Sequence, residues 1–298
     1  LNGALAGMYL EHFGLREYPF RLTPNTGYYY GRASHQEALD MLWVALDSGE
    51  GFLRVTGEVG TGKSLLCRQL LRKLDDRWEA VLIPNPALDP ASLRQVVADE
   101  LRLSAGRAGA NAHELLRTLY TRLQENAAQG RRTLLVIDEA QVMPDESLET
   151  LRLLTNLESE EEKLLQVVLL GQPELDERLA QPHLRQLRQR CTFRYRLEPL
   201  PLQVVDDYLH HRVQTAGYRG SGLFTPKASN LIGRAGHGVP RTVNTLAHKA
   251  LLAAFGEGAR RVERGHVVRA VEDTETADAA ALGLRRWWPG RRRWRRGI

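Results

Sequence analysis

Cysteine is almost missing from this chain: its 298 residues contain two, Cys67 and Cys191. Two are too few for a disulfide framework or a cysteine-rich zinc site, and they point to a reducing compartment. No apolar run approaches the roughly 18 residues that a membrane span requires. Runs such as Leu134–Ile137 and Val167–Leu170 have the length of strands. The basic-then-apolar layout of a secretory leader is missing too, and residues 1–7 read as an extension ahead of a natural start at Met8. These absences set aside a disulfide-stapled secreted module and a multispan membrane protein, and they lead us to expect a cytoplasmic location. Acidic residues are missing from Arg285 to Ile298, which carries seven arginines. The formal charge of +5 less those seven leaves −2 for residues 1–284. The body is nearly neutral, so the basic balance says little about nucleic acid, whose binders spread cationic residues over a folded face.

What is present is an alternation of helix and strand periods. Residues 9–30 are rich in aromatics and turn formers (Tyr18-Pro19-Phe20, Thr23-Pro24-Asn25) and read as an ordered arm rather than a linker. Ala38, Leu39, Leu42, Ala45 and Leu46 follow at helical spacing, then a short buried strand at Phe52–Thr56. A helix opening near Lys63 carries Leu66, Leu70 and Leu74, a strand covers Ala80–Pro84, and Leu93, Val96, Val97 and Leu101 mark a further helix. Beyond a glycine-containing loop at 104–111, Leu115, Leu116, Leu119 and Leu123 define a helix before the strongest strand, Thr133–Asp138. Leu148, Leu151, Leu154 and Leu157 give another helix, closed by the acidic loop 158–162, and Gln166–Leu170 gives another strand. Strands alternating with helices predict an α/β unit whose parallel sheet is covered on both faces. After Pro201 only helices are expected, over Leu202–Thr215, Pro226–Ala235, Arg241–Phe255 and Glu263–Glu272. The reading divides the chain into an arm (1–30), an α/β nucleotide-binding domain (31–200), a small all-α domain (201–273) and a basic tail (274–298).

The chemistry lies in two motifs. Gly57-Glu58-Val59-Gly60-Thr61-Gly62-Lys63-Ser64 fits GxxxxGK[ST] without departure and falls between a strand and a helix, as a phosphate-binding loop must. Its glycines let the backbone curl so that N–H groups surround phosphate oxygens, and the helix start adds favourable potential. These eight residues, with Leu65 behind them, are the candidate ATP-binding set. Lys63 would reach the β- and γ-phosphates, and the Ser64 hydroxyl would join a Mg2+ shell. The second motif is Leu134-Leu135-Val136-Ile137-Asp138-Glu139, a strand that ends in two carboxylates at the sheet edge where ligands bind. Asp138 would hold Mg2+ and Glu139 would polarise the attacking water. Together the motifs predict a nucleoside triphosphatase without saying what the energy is used for.

With these motifs in place the chain resembles the AAA+ ATPases over about Gly31–Glu272. The resemblance implies the three-layer P-loop sandwich of that class followed by a helical lid. It also gives roles to three further residues. Gln172, in Leu170-Gly171-Gln172-Pro173-Glu174, takes the polar sensor position, where many AAA+ proteins have Asn. Arg241, in Gly238-Val239-Pro240-Arg241, takes the place of the second sensor on a lid helix. Leu187-Arg188-Gln189-Arg190-Cys191 is similar to the segment bearing the arginine finger, with Arg190 the first choice and Arg188 and Arg185 behind it. A finger acts on a neighbour's site, so the resemblance implies a ring-like, ATP-dependent homo-oligomer.

The order Met8-Tyr9-Leu10-Glu11-His12-Phe13-Gly14-Leu15, Tyr18-Pro19-Phe20, Tyr28-Tyr29-Tyr30, His35-Gln36-Glu37-Ala38-Leu39, then the phosphate loop and Gly171-Gln172-Pro173-Glu174-Leu175, is similar to the ExeA group of general-secretion ATPases and its MSHA-type pilus biogenesis relatives. That group implies an ATPase associated with the inner membrane, working with a membrane-embedded secretion or pilus assembly protein; for this chain the attachment expected is peripheral. Secretion members continue into a membrane span and a peptidoglycan-binding part, which this sequence lacks, so a shorter pilus-type relative or a truncated chain is expected. Aromatics of the arm either clasp adenine or pack on the body. The tail interleaves arginine with Trp287, Trp288 and Trp294, a composition suited to a lipid surface through 285–296, with nucleic acid or plain solvation as alternatives. The rival function is a DNA-binding AAA+ ATPase that regulates transposition or recombination. A third reading is a switch that binds ATP and barely hydrolyses it, against which Glu139 speaks.

Overall fold

The computed structural model describes residues 2–31, 34–103, 112–157 and 163–283. The loops 104–111 and 158–162 and the arginine–tryptophan stretch 284–298 lie outside the described residues. Contacts divide the chain into two compact units, one of residues 23–199 and one that joins residues 1–22 to residues 200 onward.

The α/β unit is built on five parallel strands, β1 (Phe52–Gly57), β2 (Trp78–Ile83), β3 (Arg132–Ile137), β4 (Leu165–Gly171) and β5 (Phe193–Leu197). Their order across the sheet is β2-β3-β4-β1-β5, with Leu53 level with Val168 and Leu135 level with Val167. β1, β3 and β4 are buried along nearly their whole length. That follows from apolar side chains on both faces of each strand, a pattern only a doubly covered sheet tolerates. Alternation then sorts them. Leu53, Val55, Leu134, Val136, Val168 and Leu170 pack with α2 (Ser34–Asp47) and α3 (Lys63–Lys73). Phe52, Leu135, Ile137, Val167 and Leu169 pack on the opposite face with α4 (Pro90–Glu100), α5 (Ala112–Ala128), α6 (Asp145–Leu154), α7 (Pro173–Leu179) and α8 (Arg185–Arg190). The result is the three-layer arrangement expected from the sequence.

The strand order matters for function. The chain leaves β1 for β2 at the far edge and later returns to place β4 directly beside β1. Loops after β1, β3 and β4 therefore leave from adjacent strand ends, which is where doubly wound sheets bind ligands. β1 to β4 each lie within two residues of their sequence positions. Two short helices had no periodic signal, α7 and α8, because each runs for two turns or fewer.

The other unit contains α1 (Asn2–Phe13), α9 (Val205–Thr215), α10 (Pro226–Ala235), α11 (Pro240–Gly256) and α12 (Arg264–Glu272), and a lone bridge between Phe224 and Val262. α1 is a departure from the sequence reading, which gave residues 1–7 no role and treated 1–30 as one arm. Tyr9 and Phe13 are buried, Tyr9 stacking on Tyr18 and meeting Phe255 edge-on. The buried Arg212 of α9 donates from Nε to the carbonyl of Pro19 at 2.6 Å. Residues 24–30, by contrast, belong to the α/β unit: Asn25 caps a 3-10 turn, and Arg68 and Gln69 of α3 donate to the carbonyls of Pro24 and Thr26. Residues 274–283, which the sequence grouped with the tail, end in a 3-10 turn with Ala281 and Leu282 buried.

Within the helical unit, Gly238 turns the chain into α11 at φ 68°, and its carbonyl accepts from Leu200 N–H at 2.9 Å. A Cβ there would lie 2.0 Å from the Leu200 carbonyl oxygen. Left-handed strain and that overlap add. Gly238→Ala is expected to destabilise the unit by at least ~2 kcal/mol, a fall in thermal midpoint of about 10 °C. A midpoint equal to wild type would contradict the described turn.

Candidate nucleotide site

The phosphate loop leaves β1 at Gly57 and enters α3 at Lys63. Gly60 and Gly62 take φ values of 86° and 105°, open to glycine and strained for other residues. The loop is braced from inside by Thr61, fully buried, whose hydroxyl donates to the Glu58 carbonyl at 2.8 Å. Glu58 and Val59 are exposed at the tip, while Gly60, Gly62, Ser64 and Leu65 are half-buried. Lys63 is buried and folded back, its Nζ donating to the carbonyls of Gly57 at 2.7 Å and Glu58 at 3.0 Å. Burial pulls the Lys63 ammonium below the ordinary lysine range, against the opposing pull of the Glu139, Asp138, Glu58 and Glu174 carboxylates.

The carboxylates arrive from β3. Asp138 N–H pairs with the Ile83 carbonyl of β2 at 3.0 Å, which carries sheet pairing one residue past the strand, and its Oδ1 accepts from Glu139 N–H at 3.0 Å. Glu139 then turns left-handed at φ 54°. Its Oε2 accepts from Gln141 Nε2 at 2.6 Å and from Gln172 Nε2 at 3.3 Å. The structure thus gathers the loop, Lys63, Asp138, Glu139 and Gln172 at the ends of three neighbouring strands.

Two participants were not singled out for the site from sequence. Gln141 bridges Glu139 and the backbone N–H of Gln172, which its Oε1 accepts at 3.0 Å; only its place two residues after Glu139 hinted at this. His35, buried on α2, supports the loop from beneath, its Nε2 lying 2.7 Å from the Thr61 carbonyl. A Cβ on Gly62 would sit 2.7 Å from that same nitrogen, so glycine is required there twice over. The α8 arginines make none of the hydrogen bonds described for this cluster. On α8, Arg185 and Arg188 are exposed and Arg190 is half-buried; Arg241 is exposed on the first turn of α11, in the other unit.

A phosphate loop after β1, an Asp-Glu pair after β3 and a polar residue after β4, on a sheet ordered β2-β3-β4-β1-β5, define an AAA+ P-loop protein. The comparisons agree with that fold: a family model described as an AAA domain matches residues 46–179. The chain is 45% identical over 260 residues to General secretion pathway protein A of Aeromonas hydrophila. That alignment takes in 87% of this chain and 47% of the relative, so the chain spans about half of that protein's length. Among solved structures it is similar to the Cdc6p of Pyrobaculum aerophilum, with a TM-score of 0.64 and 19% identity over 89% of this chain and 70% of that one. The ORC2 protein of Aeropyrum pernix follows at 0.61 and 17%, covering 82% of this chain and 68% of that one. RuvB of Thermotoga maritima gives 0.54 and 15%, over 80% and 67%. At these identities the structural likeness speaks for the fold alone.

His35 supplies a test of the loop's support. With Nε2–H donating to Thr61, Nδ1 is buried without a hydrogen-bond partner among the described residues, and burial lowers the imidazole pKa from its ordinary value of 6.5. The unfolded chain therefore takes up a proton first as pH falls. Stability is full above that value and declines as pH drops below it, toward the lowered folded-state pKa. In His35→Gln, which keeps an N–H for Thr61, the midpoint should fall less between pH 7 and pH 5 than in wild type. Identical slopes would contradict the assignment.

Proposed function

We propose that this chain binds and hydrolyses ATP with Mg2+, and that hydrolysis drives or regulates assembly of a secretion or type IV pilus system at the inner membrane. The carrying observation for the first part is the convergence of Lys63, Asp138, Glu139 and Gln172 on one loop whose backbone is preset for phosphate. The second part rests on the likeness to General secretion pathway protein A, and the partner it implies is a membrane-embedded assembly protein. Among the described residues no helix is long and apolar enough to cross a membrane.

The residues divide the work as follows. Amides from Gly60 to Ser64, with Leu65 behind them on α3, would receive phosphate oxygens, helped by the start of that helix. Lys63 would exchange its two carbonyl acceptors for the β- and γ-phosphates. Ser64 and Asp138 are hard oxygen donors suited to Mg2+. Such an ion would be held by one or two protein oxygens, with phosphate and water completing its shell. When bound, the ion neutralises developing charge on the phosphate oxygens. Glu139 would orient the attacking water, and Gln172, tied to the same carboxylate, would sense the γ-phosphate. Arg190 would act from a neighbouring subunit, which makes the working form a homo-oligomer. One observation favours a second reading, a DNA-binding regulator of transposition or recombination: Arg185, Arg188, Arg194 and Arg196 are exposed on α8 and the edge strand β5. Steeply salt-dependent binding of duplex DNA by a chain lacking residues 284–298 would favour it over the secretion reading.

Lys63→Ala is expected to abolish ATP binding, whereas Glu139→Gln should bind ATP normally and release phosphate about 100-fold more slowly. Wild-type turnover in Glu139→Gln would defeat the hydrolysis assignment. Arg190→Ala should bind ATP yet turn over slowly. Mixing it with Glu139→Gln subunits should restore activity above the sum of the two, and no gain on mixing would remove the finger role.

A further inference from the structure

Gln141 has both ends of its amide committed to the proposed hydrolysis machinery. Nε2 donates to Glu139 Oε2 at 2.6 Å, and Oε1 accepts the backbone N–H of Gln172 at 3.0 Å. Since the Gln172 amide donates to the same Glu139 oxygen, the three residues close a ring of hydrogen bonds joining the end of β3 to the end of β4. No hydrogen bond from a described residue reaches Glu139 Oε1, the oxygen left to meet water. The arrangement needs room: a Cβ on Gly171 would stand 3.2 Å from Gln141 Oε1 and 2.8 Å from Leu175 Cδ2.

The turn that carries Gln141 is itself anchored. Arg178 on α7 donates from one guanidinium nitrogen to the Gln141 carbonyl at 2.7 Å and pairs through the other with Asp145, the first residue of α6. Asp145 also meets His183 Nε2 at 2.8 Å, and these two partners hold its carboxyl below the usual carboxylate range. Gln141 is half-buried beside Ala140 and Met143, which supply the apolar packing of this turn. Its side chain thus serves the two neighbours at the site, while its backbone is held from α7.

We infer that Gln141 is a positioning residue for ATP hydrolysis, fixing the Glu139 carboxylate so that Oε1 faces the attacking water, and that the Arg178–Asp145 pair holds Gln141 in place. The inference rests on the ATPase reading above. Glu139 stands in a left-handed backbone conformation at φ 54°, where its side chain has no helix or strand to set its direction. The Gln141 amide sets it instead, and a loss of alignment of about 1 Å at such a group costs up to about 100-fold in rate.

The test is steady-state ATP hydrolysis by the full chain, with ATP affinity and melting temperature measured in parallel. Gln141→Ala should cut kcat by about 30-fold while KM and ATP affinity stay within about 2-fold of wild type. Arg178→Ala should also cut kcat, and the double variant should be no slower than Gln141→Ala alone, because both act through one side chain. Gln141→Glu sets a second carboxylate against Glu139. It should move the acid limb of the pH–kcat profile to higher pH, a change that a packing role would not produce. Wild-type kcat in Gln141→Ala, multiplicative losses in the double variant, or an unmoved acid limb would each overturn the inference. If wild type hydrolyses ATP and Glu139→Gln does not, those outcomes sink Gln141's role alone; if wild type hydrolyses none, both readings fall.

Discussion

A buried ammonium must have partners, and the fold of this nucleotide site follows from where Lys63 finds them. Leaving one cation unpaired in an enclosed position costs several kcal/mol, more than most single contacts contribute. Lys63 meets the need with carbonyl oxygens of its own loop, Gly57 and Glu58. Further along the same loop Gly60 and Gly62 adopt positive φ, a conformation that lets a backbone curl with its N–H groups gathered on one side. A loop that satisfies its lysine with carbonyls and also presents amides has the polarity a polyphosphate requires.

The remaining parts depend on that loop being held still. Thr61 braces it from within and His35 from below, and the adjacent ends of β3 and β4 carry Asp138, Glu139 and Gln172. Because β4 lies directly beside β1, carboxylates and amides far apart in sequence share one edge. Lys63 and Gln172 already hold acceptors that they can give up for a ligand. Arg54 of β1 follows the same logic: its buried guanidinium pairs with Asp176 of α7 at 3.0 Å, and that carboxylate also accepts from Thr56.

Much of this was legible in the residue order. The strands showed as apolar runs, and the phosphate loop as spacing, because both depend on local backbone geometry. α1 was not legible: its first turns are Asn-Gly-Ala-Leu-Ala-Gly, with no apolar period, and only Tyr9 and Phe13 among its described side chains reach the core. Nor did sequence reveal that residues 1–22 and 24–30 serve different units, since aromatic content marks burial without saying against what. Gln141 escaped for a related reason. Its meaning lies in Gln172, contributed by another strand, and no periodicity reports which strand ends become neighbours. His35 was visible as part of a family-like run, yet its contact with Thr61 depends on how α2 packs on α3.

The central claim is that the Gly57–Ser64 backbone receives a triphosphate and that Lys63 releases its loop carbonyls to do so. Amide chemical shifts of Gly60, Gly62 and Lys63, followed as Mg-ATP and then AMP are titrated into the full chain, address it directly. The account requires large, saturable shifts at these three residues with Mg-ATP and little change with AMP, which has no β- or γ-phosphate to bind. Equal responses to both nucleotides, or none at millimolar Mg-ATP, would contradict it.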